Sequence, residues 1–344
     1  MKAKLNKFIL WSAFLVLLLI VTTVIIFYVW TKQIISTETP STTVPDNANI
    51  AAANSTALAF PVGVNSHTKT ITENPTVDFY AGTNLSINSD NSRAARFLDR
   101  LLAEFVRFDW YQNLASSVSR ILVIYPGERH EEVVKNIGDI LRWNSEEREL
   151  FFNYVISSEP ALIEGKFYPG RYVVSKDATP EEVADLLIAR FNEEILARYP
   201  DEIQLQVPLA DALVIASLLE REAYDFTDMR YISGVIWNRL FIEMPLQLDA
   251  TLQYARGSKA EENRWWPRVV PRDKFIESPY NTYENAGLPP APIANPSAEA
   301  VLAALNPRIT ECMFYFHDAK GKFYCTETYE EHVAKLKEIY GRGQ

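Results

Sequence analysis

The sequence predicts an α+β protein with an N-terminal transmembrane helix and stalk, then a small α+β module, then a mixed α/β domain. Three observations carry that expectation. Residues 8–30 hold no charge. Residues 120–198 alternate short β-type runs with capped amphipathic helices. Beyond residue 199, helical periods lead through a proline-rich loop to two short β-type runs. The expected bounds are 1–30 for tail and anchor, 31–92 for the stalk, 93–198 for a helix plus the small module, and 199–344 for the last domain.

The anchor is the apolar run from Phe8 to Trp30. As a helix rising about 1.5 Å per residue it covers the roughly 30 Å of a bilayer core. Lys2, Lys4 and Lys7 precede it, so a single pass leaves the N-terminus in the cytoplasm and the remainder on the outer, periplasmic or extracellular side of the cell membrane. A cleaved signal peptide is disfavoured, because the run is long and exits through "FYVWTKQ" rather than a small-residue site. Residues 31–92 are rich in Ser, Thr, Asn and Ala without a sustained period, which reads as a mostly flexible stalk, with a short strand at Thr76–Tyr80 as an option. "SRAARFLDRLLAEFVRFDWYQNLA" then spaces Phe97, Leu101, Leu102, Phe105 and Phe108 as an amphipathic helix.

In the small module a strand over Ile121–Tyr125 meets a Pro126-Gly127 turn, and a helix starts near Glu131. "SEERELFFNYVISS" is a second helix with Ser145 as its expected cap. "EGKFYPGRYVVSKDATPEEVADLLIARF" reads as strand, turn and helix, with Thr179 capping and Pro180 at the first helical position. The last domain opens with helices near 209–224 and 228–242. A helix near Ala298–Leu305, strands at Met313–His317 and Lys322–Thr326, and a helix from Thr328 close it.

A net charge of -10 and a pI near 5.1 argue against a nucleic-acid partner, which needs a basic face. Cys312 and Cys325 flank the expected hairpin; they either face each other as a disulfide or stay as two buried thiols. No nucleotide loop, metal-ligand spacing or Ser-His-Asp arrangement stands out, so neither metal nor cofactor is expected.

The stretch "ALVIASLLEREAYDF" ends an apolar run in Glu220-Arg221-Glu222. At helical spacing Glu222 shares a face with Ile215, Leu218 and Leu219, whereas Glu220 lies with Ala216, Ser217 and Ala223. An acid on an apolar face is either exposed at a helix end or buried, and burial raises its pKa toward general-acid use. Spacing selects Glu222 and leaves those two readings open. Gln247, Asp249 and Tyr254 in "LQLDATLQY", with Asn281 and Tyr283 in "YNTYENAGLPPAPIANPS", offer rings and hydrogen-bonding groups of the kind a sugar needs. The alternative is that these residues pack a long loop.

"ASLLEREA", "GVIWNRL", "MPLQLDATLQYARG", "YNTYENAGLPPAPIANP" and "FYFHDAKGKFYCTETYEEH" resemble, in order and spacing, the YceG-like (MltG) family of membrane-anchored endolytic murein transglycosylases. The likeness spans about residues 120–340. It implies a LysM-like, peptidoglycan-binding part at 120–198 and a catalytic domain after it. It also implies peptidoglycan glycan strands as substrate, with peptidoglycan synthases or division proteins as partners to be sought. The family's catalytic acid falls on Glu222. Glu220, Asn238, Gln247, Asp249, Tyr254, Asn281 and Tyr283 are the expected substrate-binding set, Glu220 and Asp249 orienting the sugar or tuning the acid. The implied reaction is lyase chemistry: the MurNAc-β-1,4-GlcNAc bond breaks without water and leaves 1,6-anhydroMurNAc ends, trimming or terminating nascent strands. Arg221, Ala223 and "QLDAT" depart from the family's usual residues. A non-catalytic, membrane-anchored wall-binding protein is the main competing reading; a soluble lyase of small aromatic metabolites is contradicted by the N-terminal span.

Overall fold

The structure, a computed structural model, describes residues 58–85, 118–157, 162–257 and 265–341. The expected anchor, the first part of the expected stalk and the amphipathic helix beginning at Ser92 lie outside the described residues. Among the described residues no helix is long and apolar enough to cross a membrane.

The expected stalk, 31–92, overreached. Residues 58–85 form a two-stranded antiparallel turn, β1 (Val64–Asn65) with β2 (Thr70–Ile71), followed by helix α1 (Val77–Asn84). Phe60, Val64, Val77, Tyr80 and Ala81 are buried in the larger core. Val77, Tyr80 and Ala81 stand three and four apart, so the option of a strand at Thr76–Tyr80 gives way to a helix. The apolar residues here are too few to show a period; these five meet the body of the protein, whereas Leu58 and Phe79 are exposed.

The small module runs β3 (Ser119–Ile124), α2 (His130–Leu141), α3 (Ser145–Ile156) and β4 (Gly170–Ser175), and then α4 (Pro180–Glu194). β3 and β4 pair antiparallel from Ser119↔Ser175 to Ile124↔Gly170. Leu122 and Ile124, on one face of β3, meet Ile137, Phe151, Val155 and Val183 in a core separate from the larger one. Asn144, not Ser145, caps α3: its side chain accepts from the Glu147 amide at 3.0 Å, and the Glu147 carboxylate accepts the Asn144 amide at 2.7 Å. Thr179 caps α4 in the same reciprocal way, with Pro180 behind it as expected.

Short helix α5 (Asp201–Gln204) leads into the larger domain: α6 (Leu209–Glu222), α7 (Phe226–Phe241), α8 (Asp249–Gly257), α9 (Ala298–Leu305), β5 (Phe314–His317), β6 (Phe323–Thr326) and α10 (Tyr329–Tyr340). Every residue from Ala212 to Leu219 is buried, so α6 is enclosed on all sides, as is α9 from Ala300 to Leu305. Among the described residues all three ladders are two-stranded and antiparallel. The larger domain is therefore helices with one hairpin, α+β rather than the expected mixed α/β. Its strands are consecutive and joined by a tight turn, which permits antiparallel pairing. Cys312 and Cys325 are bonded to each other across this hairpin.

Module and domain are joined at Asn295, which is fully buried. Its side-chain oxygen accepts the Gly165 and Phe167 amides at 2.8 and 3.0 Å, and its amide nitrogen donates to the Glu128 carbonyl at 2.9 Å. Its backbone exchanges two further hydrogen bonds with Gly127 and Glu128. Asn295→Ala orphans two buried amide donors, so we expect a loss of about 3 kcal/mol or more. Urea unfolding of the pair checks it: an unchanged midpoint would show that water replaces the side chain.

Candidate active site

An enclosed helix can show a polar side chain only at its ends, and α6 ends in Glu220, Arg221 and Glu222. Each has a different partner. Glu220 accepts hydrogen bonds from the Ser297 amide (2.9 Å) and hydroxyl (2.6 Å), at the residue that caps α9. Arg221 donates to the Gly127 carbonyl at 3.3 Å and lies 3.8 Å over the Trp266 ring. Gly127 holds φ 81°, which glycine adopts without a Cβ penalty, and so it meets Arg221 in the turn that follows β3. Glu222, half-buried, turns to the other side. Its Oε2 accepts from the Tyr315 hydroxyl at 3.0 Å, and its Oε1 lies 3.4 Å from the Ala250 amide at the start of α8.

Desolvation raises the Glu222 carboxyl above its ordinary range. The hydrogen bonds from Tyr315 and Ala250 oppose this, the charge of Asp249 adds to it, and His317 counters weakly. Asp249 is exposed and begins α8; its Oδ1 accepts the Tyr283 hydroxyl at 2.7 Å. Burial raises the Tyr283 phenol, and Asp249 raises it further, so it stays a donor. Tyr315 is likewise pushed well up, by burial first and by Glu222 next. The site thus has one acid inclined to keep its proton, a neutral phenol on it, and an ionisable neighbour on a second phenol.

The expected residues divide into two groups. Glu222, Asp249 and Tyr283 converge. Gln247 is exposed beside them, held at φ 52° with its amide donating to the Thr282 carbonyl at 3.0 Å. Left-handed geometry in a non-glycine residue is a mark of functional loops. Glu220, Asn238, Tyr254 and Asn281, also expected as substrate contacts, make their bonds within the protein framework. Asn238 Nδ2 donates to the carbonyls of Thr310 and Cys312, tying α7 to the hairpin. Asn281 is fully buried and donates to the Lys274 and Ile276 carbonyls. Tyr254 is buried under the Arg129 guanidinium, 4.2 Å from its ring centre. Asn281 and Tyr254 are enclosed in this way, whereas Glu220 and Asn238 are half-buried.

Three contributors escaped the reading of the sequence. Tyr315 is the donor to Glu222. Arg239, buried, donates to the Met313 and Leu246 carbonyls at 2.6 Å each, clamping the hairpin beside the acid. His317 shares a strand face with Tyr315 two residues away, and its Nε2 meets Asp228 Oδ2 at 2.8 Å. Alternation along "FYFH" was the available signal. Elsewhere, His130, Glu131 and Glu164 bring ligand-type atoms within 4.8 Å of one another. They are already engaged: His130 Nδ1 with Glu164 at 2.7 Å, and Glu131 with Arg129. The His130–Glu164 bonds tie the start of α2 to the loop that carries Glu164.

A model of the YceG-like family matches residues 82–338. The chain is a member of that family. Among curated proteins, the endolytic murein transglycosylase of Bacillus subtilis (strain 168) is 35% identical over 179 residues, which cover 52% of this chain and 48% of that protein. The endolytic murein transglycosylase of Streptococcus pneumoniae is 32% identical over 177 residues, covering 51% of this chain and 32% of that protein. This YceG-like chain thus matches half or less of the length of those relatives. A crystal structure of a putative YceG-like protein from Listeria monocytogenes is similar at 30% identity and a TM-score of 0.55, covering 63% of this chain and 76% of that one.

Because its folded-state pKa is raised, Glu222 contributes stability fully at pH values below the ordinary carboxyl range, and that contribution is lost as pH rises through the raised value. Glu222→Gln stays neutral throughout, so its stability should gain on the parent as pH rises. Thermal melts of both proteins at acid and at neutral pH read this. A melting difference independent of pH would mean that the carboxyl is not desolvated.

Proposed function

We propose that this YceG-like chain is a membrane-anchored endolytic peptidoglycan lytic transglycosylase with Glu222 as its single general acid. One observation carries the reading. Glu222 is desolvated and raised while its neighbour Asp249 is exposed and already bonded to a phenol. Hydrolysis of a glycoside ordinarily uses two carboxyls, one as acid and one as nucleophile or base. A lytic transglycosylase uses one, because the attacking group is the substrate's own C6 hydroxyl.

In this mechanism protonated Glu222 donates to the glycosidic oxygen as the bond from C1 of N-acetylmuramic acid breaks. The C6 hydroxyl oxygen bonds to C1, and its proton passes to the Glu222 carboxylate, restoring the acid. No water is consumed, and the new end is a 1,6-anhydro ring. The attack is intramolecular, so proximity offsets much of the barrier. Tyr315 steadies the carboxylate form, while the negative charge of Asp249 opposes premature loss of the proton. The Tyr283 bond to Asp249 and the exposure of Gln247 support a sugar-contacting role for these residues. The β-α-α-β order of residues 119–175 supports a LysM-like, glycan-holding role for the module. The uncharged Phe8–Trp30 run behind three lysines supports a single-pass anchor with the body outside.

The full chain in detergent, incubated with intact peptidoglycan, should release glycans with 1,6-anhydro ends by mass spectrometry. Glu222→Gln should slow this roughly 10²–10⁴-fold. Reducing ends would mean hydrolysis. Neither kind of end, with the chain still pelleting with the glycan, would mean a wall-binding protein. Tyr315→Phe removes a donor that favours ionised Glu222, so its pKa rises further and the alkaline limb of the pH–activity profile should move to higher pH. A limb that stays in place would remove Tyr315 from the acid's environment.

A further inference from the structure

The stretch from Arg268 to Ile276 differs from the rest of an acidic protein. Its single acid, Asp273, is buried; it accepts the Val270 amide at 2.8 Å and is paired with Arg256 at 2.7 Å. Arg256 also donates to the Arg268 carbonyl at 2.8 Å. A 3₁₀ turn over Pro271–Phe275 wraps this pair. With the acid turned inward and neutralised, Arg268, Arg272 and Lys274 are left exposed. Phe275 beside them is 76% exposed, the highest value among the large apolar side chains of the described residues, and Val270 is 36% exposed. The loop is also braced: Asn281 holds the Lys274 and Ile276 carbonyls, and the Lys274 ammonium lies 4.9 Å from the Tyr283 ring, whose hydroxyl holds Asp249.

Three exposed cations in one short stretch with a bare aromatic, outnumbering the exposed Glu277 that follows, on a chain of net charge -10, are the chemistry of an interfacial contact with anionic lipid. A carboxylate ligand would use the cations but would leave the exposed Phe275 unexplained. We propose that Arg268, Arg272, Lys274 and Phe275 form a docking surface for the anionic headgroups of the bilayer that holds the anchor. This rests on the anchored reading above. Docking here fixes the Tyr283–Asp249 wall of the site at the membrane surface, and so directs cleavage to glycan close to the bilayer.

The test uses the full chain with Phe275→Cys carrying an environment-sensitive fluorophore; Cys312 and Cys325 are bonded to each other and do not compete for the label. The protein is reconstituted into vesicles of phosphatidylcholine alone or mixed with phosphatidylglycerol. Expected are a blue-shifted emission and quenching by spin-labelled headgroups in the anionic vesicles only, both weakened by salt. Arg268→Gln and Lys274→Gln should each lower the docked-to-undocked ratio about fivefold. A label at Leu205, itself 74% exposed, should stay water-like in both. Equal emission in the two lipids, or an equal response at Leu205, overturns the proposal. So does a response that requires added peptidoglycan fragments regardless of lipid, which would make the surface a glycan-peptide site. Flotation with the vesicles at high salt reports the anchor separately. If the chain does not float, the anchored reading fails, and the same label then reports whether added anionic vesicles recruit the free protein.

Discussion

The enclosure of α6 sets the terms for the rest of the larger domain. A helix surrounded along its length carries mostly apolar and small residues, so its charged groups are confined to its ends. Three charged residues in a row emerge there, and each must be matched on a different side. Ser297 takes Glu220 and thereby fixes the start of α9. The Gly127 carbonyl and the Trp266 face take Arg221 and bring in the module. Tyr315 takes Glu222 and brings in the hairpin. The acid is thus held where three parts of the chain meet, and none of these parts contains it alone.

Glu222 was legible because helical spacing separates it from Glu220, but the physical ground differs from the one the spacing implied. A two-sided helix was expected, with a polar side holding Ala216 and Ser217; both are buried, and the Ser217 hydroxyl accepts the Ile293 amide at 3.0 Å. Partners, rather than faces, distinguish the two glutamates. Capped helices such as α4 were readable because Thr179, Pro180 and Glu182 act within one turn. Helix α1 was not, since its partners include groups far along the chain, such as the Arg198 guanidinium that donates to the Tyr80 hydroxyl 118 positions away. The same distance hid Tyr315, whose role depends on an α6 side chain 93 residues earlier.

Residues that looked like sugar ligands by type divide according to accessibility. Asn281 and Tyr254 carry the expected chemistry, but their polar atoms or faces are already used by carbonyls and by Arg129. Composition reports which groups a loop owns; burial decides which remain available. The bond between Tyr283 and Asp249 lies at the exposed edge of the loop rather than beneath it.

The Cys312–Cys325 bond closes the hairpin that bears Tyr315 and His317. A two-stranded ribbon is barely stable by itself, and this one is secured by the Arg239 clamp and that covalent link. The hydroxyl that meets Glu222 is therefore braced by a sulfur–sulfur bond. In a thiol-reducing compartment the brace is absent, and the acid's environment is less firmly set. Covalent and polar ties thus converge on the same strand, since the Asn238 side chain also donates to the Thr310 and Cys312 carbonyls just before it.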